Sequence, residues 1–176
     1  MINLELIPKY DFHKNSKCPV CVEAKSIRKP FHSVDRNSEV LDLVHTDLCE
    51  FNGILTKDHK RYFITFIHDC SRYCYVYLLK SRDEALEKFM IFKNEAETQT
   101  GKKLKRLRSD RGGEYGSNPF VQFCQQFGIV HEETPPYTPE SNEIVERKNR
   151  TLKDMINSLL LSSGLPKYMW GEALNT

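Results

Sequence analysis

The chain contains no long apolar run, almost no net charge, and no repeated or low-complexity segment. No stretch of its 176 residues approaches the roughly 18 apolar residues that suggest a membrane-spanning helix, and the first residues do not form the apolar stretch of a signal peptide. We therefore expect neither a membrane protein nor a secreted one. With 39% hydrophobic and 28% charged residues, the composition is that of a globular protein long enough for one domain with its own core.

Cysteine is present without the features of a disulfide framework. Four of the six cysteines fall in segments with strand or helix patterns, and no secretory signal accompanies them. This favours free, mostly buried thiols in an intracellular, reducing compartment. Cys18 and Cys21 differ, because they form the motif CPVC in a polar and basic segment without periodicity. We interpret residues 1–34 as the end of a small module followed by a linker.

From about residue 40 the pattern becomes regular. Three strand-like runs come first, and the second and third of them are expected to pair antiparallel. A helix should follow, with Ser81 and Glu84 as its capping box and Gly101 at its end, and a later helix should be capped by Asn118. The predicted order is β, β, β, α, β, α, β, loop, α, which indicates a mixed sheet covered by helices. The segments are strands at 39–51, 61–70, 72–80, 104–110 and 129–134, helices at 81–101 and 118–128, an irregular loop at 135–141, a long helix to about residue 163, and a further helix within 166–175.

Three carboxylates stand out by position. Asp47 lies near the end of the first strand and Asp110 at the end of the fourth, where a sheet delivers side chains to a cleft. Glu146 lies in the long helix, and a helical wheel groups it with amides and cations while four apolar residues face the opposite, core-facing side. This polar stripe could face water, with an ordinary ion pair between Glu146 and Arg150, or it could face phosphates. The stripe comprises Asn142, Glu146, Asn149, Arg150, Lys153 and Asn157, and the apolar side comprises Leu152, Met155, Ile156 and Leu159.

The sequence segments around these carboxylates resemble the integrase of copia-type LTR retrotransposons, within the retroviral integrase superfamily. The matching segments are HTDLCEF, FIHDCSRYCYVYLLKSRDEALEKF, LRSDRGGEYGSNPFVQFCQQFGIVHEETPPYTPESNEIVERKNRTLKDM and LPKYMWGEAL. Thirty-five residues separate Asp110 from Glu146, as in the family's D,D-35-E arrangement. The resemblance implies an α/β, RNase H-like fold, a five-stranded mixed sheet flanked by helices, over residues 35–176. It also implies that Asp47, Asp110 and Glu146 are the catalytic residues and the metal ligands.

The implied reaction is a phosphoryl transfer that joins element DNA ends to target DNA. Two Mg²⁺ or Mn²⁺ ions would activate the attacking oxygen and stabilise the leaving one. Because carboxylates that share a cleft repel one another without metal, we expect at least one raised carboxyl pKa in the metal-free protein. Asn142, Arg150 and Lys153 are the expected DNA-binding residues, with salt-dependent binding to the backbone. A homo-oligomer is expected for the active form.

The basic segment KKLKRLR (102–108) has two interpretations. It could be a nuclear import signal, and the active family is expected in the nucleus. Its Leu104 and Leu107 instead favour a strand with basic neighbours.

Several features depart from the family pattern and leave a second hypothesis open. CPVC resembles half of the family's His-His-Cys-Cys zinc module, but only His13 precedes it, so we expect residues 1–34 to be a truncated remnant in which Cys18 and Cys21 hold no zinc. PESNEIVER replaces the family's PQQNGVAER, which places Glu140 and Glu143 near the expected phosphates. The alternative is therefore a catalytically inactive relic that at most binds nucleic acid.

Overall fold

The computed structural model describes residues 39–134 and 143–176, which form five strands and four α-helices. A 3₁₀ turn precedes α1 and another precedes α4. The elements are β1 (Val44–Glu50), β2 (Tyr62–His68), β3 (Cys74–Leu79), the turn Arg82–Glu84, α1 (Ala85–Thr100), β4 (Arg106–Ser109), α2 (Asn118–Gln126), β5 (Val130–Glu133), α3 (Glu143–Ser163), the turn Lys167–Met169 and α4 (Trp170–Leu174).

The five strands form one mixed sheet in the order β3-β2-β1-β4-β5. β1, β2 and β3 pair antiparallel, whereas β4 is parallel to β1 and β5 is parallel to β4. The predicted mixed five-stranded sheet and the order of its elements are therefore confirmed. Because β1 and β4 run in the same direction, their carboxyl ends meet at one edge of the sheet.

Each face of the sheet is covered by helices over its own apolar core. Successive residues of a strand point to opposite faces, so Phe63 and Ile64 of β2 belong to different cores. The first core lies between the sheet and helices α1 and α2, and Phe66 stacks on Phe92 there with ring centroids 4.5 Å apart. The second core lies under α3 and α4 and consists of Phe51, Phe63, Ile156, Leu160 and Trp170.

Helix termini differ from the predicted caps. Ser81 makes no side-chain cap hydrogen bond, and the carboxylate of Glu84 accepts from the Lys80 backbone N–H instead, at 3.2 Å. The predicted capping box is thus wrong, because a 3₁₀ turn separates Ser81 from α1. Ser117, not Asn118, occupies the N-cap position of α2. Gly101 does end α1, in the left-handed conformation with φ 66° that glycine adopts without strain.

The first strand is shorter than predicted. Leu41 has a φ of 66°, and the Asp42 N–H donates to the Glu39 carbonyl oxygen, so residues 39–42 form a turn and the strand begins at Val44. Leu41 is nonetheless fully buried in the first core. The apolar pattern of this segment therefore reflects burial in a turn and not an extended strand.

The basic segment 102–108 is incorporated in the sheet region as the strand interpretation predicts. Leu104 and Leu107 are buried in the first core. Its five cations all form ion pairs with carboxylates, which holds them at the surface beside the sheet. The pairs are Lys102–Glu39, Lys103–Glu97, Lys105–Asp42, Arg106–Glu132 and Arg108–Glu132.

The four cysteines among the described residues are free thiols, as expected, but the expectation that such thiols are mostly buried is wrong: Cys124 is buried, Cys49 and Cys74 are partly buried, and Cys70 is exposed. Within residues 39–134 and 143–176, none of the helices combines the length and the apolar character needed to cross a membrane.

Candidate active site

Asp47 and Asp110 are brought together at the edge where β1 and β4 end. In the parallel pairing, Val44 is opposite Leu107 and His45 is opposite Arg108, so Asp47 and Asp110 each lie two residues beyond the second of these pairs. The Asp47 side chain lies on the face covered by α3, where Asn149 donates to it, and Asp110 is close enough for its charge to act on Asp47. Strand-end reasoning from the sequence predicted this proximity.

The electrostatics of Asp47 confirm that the two carboxylates interact. Burial, followed by the negative charge of Asp110, raises the pKa of Asp47 to about 6. Hydrogen bonds from Asn149 and from the Cys49 thiol act in the opposite direction but do not cancel this rise. The expected raised carboxyl pKa in the metal-free protein is thus present at Asp47. A cation between the two carboxylates would remove both the repulsion and the penalty of burying charge.

Asn149 of α3 connects the helix to both neighbouring strands. Its amide nitrogen donates to Asp47 Oδ2 at 2.8 Å, and its amide oxygen accepts from the Thr65 hydroxyl at 2.9 Å. Asn149 is only 3% exposed and Thr65 is fully buried. The helical wheel predicted that Asn149 lies on an outward polar stripe, and this prediction is wrong because the side chain is the buried polar contact between α3 and the sheet.

The core-facing side of α3 is consequently rotated from the predicted one. Ile156 is buried and Leu152 packs against the second core as expected, but Met155 and Leu159 are 54% and 40% exposed. The prediction that they face the core is wrong. A helical wheel assigns the buried side from apolar residues, so it left out Asn149. Because Asn149 is buried, the buried side of α3 lies closer to Glu146 than predicted. The buried residues of α3 are Val145, Asn149, Asp154, Ile156 and Leu160.

Glu146 lies in the first turn of α3 and is exposed. It precedes Asn149 by three residues, which corresponds to about 4.5 Å along the helix axis. Glu146 thus lies roughly one turn from the residue that contacts Asp47. Among the described residues, which include all three carboxylates, no group of three or more His, Cys, Asp or Glu side chains is close enough to hold a metal ion. The charge interaction shows that Asp110 is near Asp47, and the roles of Asp47, Asp110 and Glu146 as catalytic residues and metal ligands stay predictions.

The loop between β4 and α2 holds the Asp110 carboxylate and backbone. The Gly112 N–H donates to Asp110 Oδ1 at 3.0 Å, and the Ser109 hydroxyl donates to the Asp110 carbonyl oxygen at 2.7 Å. Tyr115 is fully buried, and its hydroxyl shares a 3.2 Å hydrogen bond with that of Thr46, the residue before Asp47. Sequence reasoning missed these supporting residues. The one local signal was a tyrosine embedded in a glycine-rich segment, RGGEYG, where an exposed loop needs no aromatic residue.

The expected DNA-binding residues have separate outcomes. Arg150 is exposed, and Lys153 lies near Cys49. Burial and the charge of Asp47 raise the pKa of the Cys49 thiol to about 12, while the positive charge of Lys153 acts in the opposite direction. Lys153 is therefore within electrostatic reach of the Asp47 side of β1. Asn142 lies outside the described residues, as do Glu140 and the possible zinc ligands His13, Cys18 and Cys21.

The negative charge of Glu143 at the start of α3, which was expected to lie near the phosphates, is partly neutralised by a neighbouring cation. Glu143, one of the two additional acidic residues, lies 3.3 Å from the guanidinium of Arg147 in an i,i+4 ion pair. Half-exposed pairs of this kind contribute little to stability, but the partner cation partly neutralises the local negative charge.

The mixed sheet, the flanking helices and the paired aspartates at its carboxyl edge define an RNase H-like domain with a carboxylate site. Two solved structures share the fold. The HTLV-2 integrase catalytic core domain, solved in complex with magnesium in a trimeric form, matches 76% of this chain and 80% of that chain with a TM-score of 0.55 and 24% identity. A chain of the simian T-cell lymphotropic virus intasome, solved in complex with PP2A regulatory subunit B56 gamma, matches 89% of this chain and 55% of that chain with a TM-score of 0.62 and 22% identity.

Sequence comparison gives the family. The integrase core domain family matches residues 37–139. The retrovirus-related Pol polyprotein from transposon TNT 1-94 of Nicotiana tabacum is 44% identical over 160 residues, which cover 90% of this chain and 12% of that polyprotein. The Pol polyprotein from transposon RE2 of Arabidopsis thaliana is 34% identical over 164 residues, covering 93% of this chain and 11% of that polyprotein. The chain therefore belongs to the integrase core domain family, and it spans about one eighth of the length of the first of these polyproteins.

Proposed function

We propose that this chain is the catalytic core of a copia-type retrotransposon integrase, which transfers element DNA ends into target DNA in a divalent-metal-dependent reaction. The observation that supports the proposal most is the partly buried pair Asp47 and Asp110 at the ends of two neighbouring parallel strands, close enough for the charge of Asp110 to raise the pKa of Asp47, in a member of the integrase core family. Similarity to plant transposon Pol polyproteins over most of the chain supports the copia type.

The residues of the site fit a hard divalent cation. Asp47 and Asp110 offer carboxylate oxygens from the ends of two neighbouring strands, and the pKa of Asp47, raised by burial and by its neighbour, marks a place where a positive charge is favoured. We assign Glu146 as the third ligand, from the turn of α3 beside Asn149. When bound, Mg²⁺ or Mn²⁺, as two ions, would supply activation of the attacking hydroxyl and stabilisation of the leaving oxygen.

The other residues of the site orient these groups and bind DNA. Asn149 holds Asp47 Oδ2, which fixes the orientation of this carboxylate. Arg150 and Lys153, on the same helix, would bind backbone phosphates without reading the base sequence, and Asn142 is the third proposed contact. The proposed partners are DNA and further copies of the chain, since one structural neighbour was solved as a trimer and another in an intasome. We place this activity in the nucleus, where the target DNA is.

A disintegration assay on branched DNA tests the proposal. The chain should resolve the branched substrate in Mg²⁺ or Mn²⁺, and Asp110→Asn should abolish turnover without lowering DNA affinity. In a separate binding experiment, affinity should fall steeply with salt, and Arg150→Gln with Lys153→Gln should weaken binding equally for all sequences.

The exposed position of Glu146 and the absence of a three-carboxylate cluster among the described residues favour a second candidate, an inactive relic that binds nucleic acid. Salt-dependent DNA binding without metal-dependent turnover in the wild-type chain would support this relic and overturn the enzymatic proposal.

A further inference from the structure

A charge pair fixes the loop that follows Asp110, and the proposed chemistry does not use it. Glu114 Oε2 lies 3.6 Å from Arg82 Nη1 of the 3₁₀ turn before α1. The Glu114 side chain is only 5% exposed, although its neighbour Gly113 and nearby Gly116 are exposed. A carboxylate is rarely buried in a surface loop, because removing its charge from water is unfavourable unless a partner compensates. The ion pair with Arg82 is the contact that compensates for the burial of the Glu114 carboxylate.

Arg82 is anchored independently of Glu114. Its guanidinium lies over the Tyr62 ring at 5.5 Å from the centroid, in a cation–π contact at the start of β2. The Arg82 side chain remains 56% exposed although it contacts Glu114. The Ser117 hydroxyl donates to the Glu114 carbonyl oxygen at 3.1 Å, which holds the same residue through its backbone. Glu114 is thus fixed from β2 and the 3₁₀ turn as well as from within its own loop.

The Glu114 carboxylate lies directly against Gly112. A Cβ atom added at Gly112 would be 2.7 Å from the Glu114 carboxyl carbon and 2.8 Å from each of its oxygens. Gly112 is also the residue whose N–H donates to Asp110 Oδ1 at 3.0 Å. The order of contacts is therefore Arg82, Glu114, Gly112 and then the Asp110 carboxylate. No side chain other than hydrogen fits between the Glu114 carboxylate and the Gly112 backbone.

We propose that Glu114 and Arg82 form a latch that holds Gly112 in place, so that its amide keeps the Asp110 carboxylate oriented toward the metal site. Both are positioning residues, since they act through Gly112 and contact neither substrate nor metal. The inference rests on the proposed function for its consequence in catalysis, but the position of the Glu114 carboxylate against Gly112 is independent of that function.

Arg61 provides a matched control. Its guanidinium also lies 5.5 Å from the Tyr62 ring centroid, and its side chain is exposed to a similar extent, but it pairs with Glu50 and not with the loop. Arg61→Gln therefore removes the same kind of charge from the same ring. Any effect seen in Arg82→Gln and absent in Arg61→Gln arises from the contact with Glu114.

The first readout is hydrogen exchange of the Gly112 amide in metal-free protein, measured by NMR under native conditions. Arg82→Gln and Glu114→Gln should each accelerate exchange about tenfold, because the amide loses its fixed acceptor geometry. Arg82→Lys, which keeps the charge, should recover part of the loss, and Arg61→Gln should match the wild type. Since Arg82 is largely exposed, its variants test the latch even where Glu114→Gln does not fold.

The second readout is the affinity for Mn²⁺ alone, followed by kcat and KM with DNA. The Arg82 and Glu114 variants should lose about tenfold in Mn²⁺ affinity, with kcat reduced at limiting metal and KM for DNA unchanged. Unchanged Gly112 exchange in folded Arg82→Gln would overturn the latch, whatever the activity. A wild-type chain that binds no Mn²⁺ would overturn the proposed function instead, and the exchange comparison would still decide the latch.

Discussion

The two apolar cores on either side of the sheet have different contents, and the difference locates the site. Among the described residues, the cluster of buried hydrophobic side chains has fifteen members in the first core and five in the second. The first face also has buried polar groups, such as the Thr46 and Tyr115 hydroxyls that share a hydrogen bond, but the second face contains the polar layer formed by Asp47, Asn149 and Thr65. Polar groups in a core contribute less to stability than apolar ones of similar size. The first core therefore supplies most of the stability that the fold needs, and the second accommodates the chemistry.

The strongest contrast should come from deleting one large aromatic residue on each face. Trp170 stacks on Phe51 with centroids 5.2 Å apart and donates its indole N–H to the Ile54 carbonyl oxygen at 2.8 Å. Trp170→Ala and Phe92→Ala should each lower the free energy of unfolding by about 3–5 kcal/mol in urea titrations. Only Trp170→Ala should also weaken Mg²⁺ binding, because it loosens the packing of α3. Equal losses of Mg²⁺ affinity in both variants would show that the faces are not functionally distinct.

The pH dependence of stability should reveal the raised pKa of the partly buried Asp47 carboxyl. A carboxyl whose folded pKa of about 6 exceeds its ordinary value of 3.8 binds more protons in the folded state, so its contribution to stability declines as pH rises through that window. Above pH 6 the penalty is complete and amounts to about 3 kcal/mol at most. Asp47→Asn should therefore stabilise the metal-free protein at pH 7.5 and have no such effect at pH 3.5.

Thermal or urea unfolding across this pH range checks the prediction, with Asp58→Asn as the control for an exposed carboxylate in the β1–β2 loop. A stabilisation by Asp47→Asn that is equal at both pH values would contradict the assignment of a raised pKa.

The polar layer should be sensitive to the loss of its central amide. Asn149→Ala leaves the Thr65 hydroxyl and Asp47 Oδ2 without that partner, which should cost about 2–3 kcal/mol. Asn157→Ala, on the same helix and only partly buried, should cost less than about 0.5 kcal/mol. A double-mutant cycle with Thr65→Val measures the coupling. Additive effects of the two substitutions would argue against the hydrogen-bonded layer.

The smallest expected loss of stability comes from Gly171, where α4 packs closely against Thr56 and Leu78. A Cβ at Gly171 would lie 2.8 Å from Thr56 Cγ2 and 3.2 Å from Leu78 Cδ1, so Gly171→Ala should destabilise by about 1–2 kcal/mol through overpacking. Thr56→Ser removes the closer methyl group and keeps the hydroxyl that accepts from the Lys60 N–H. The double variant should regain most of the loss, as measured by urea titration. If the double variant regains no stability, the destabilisation by Gly171→Ala does not arise from the contact with the Thr56 methyl group.

Residue patterns predicted the sheet and part of the site, because these features depend on residues close together in the sequence. Asp47 and Asp110 were found because strand ends converge at one edge whatever the details of packing. Asn149 was misplaced because a helical wheel gives angles between side chains but not which angle faces the sheet, and a buried amide breaks the apolar rule. Glu114 could not be found because Arg82, its partner, belongs to another element. Contacts between distant segments decide these positions.

The decisive measurement is a Mg²⁺ titration followed by NMR or calorimetry on the wild type and four variants. The three proposed ligands are compared with Glu143, which precedes Glu146 by one turn of α3 and is already paired with Arg147. We predict saturable binding that is lost in Asp47→Asn and Asp110→Asn, weakened at least tenfold in Glu146→Gln, and unchanged in Glu143→Gln. Binding that persists in Asp110→Asn, or a Glu146→Gln variant indistinguishable from Glu143→Gln, would contradict the assignment of these carboxylates as one metal site.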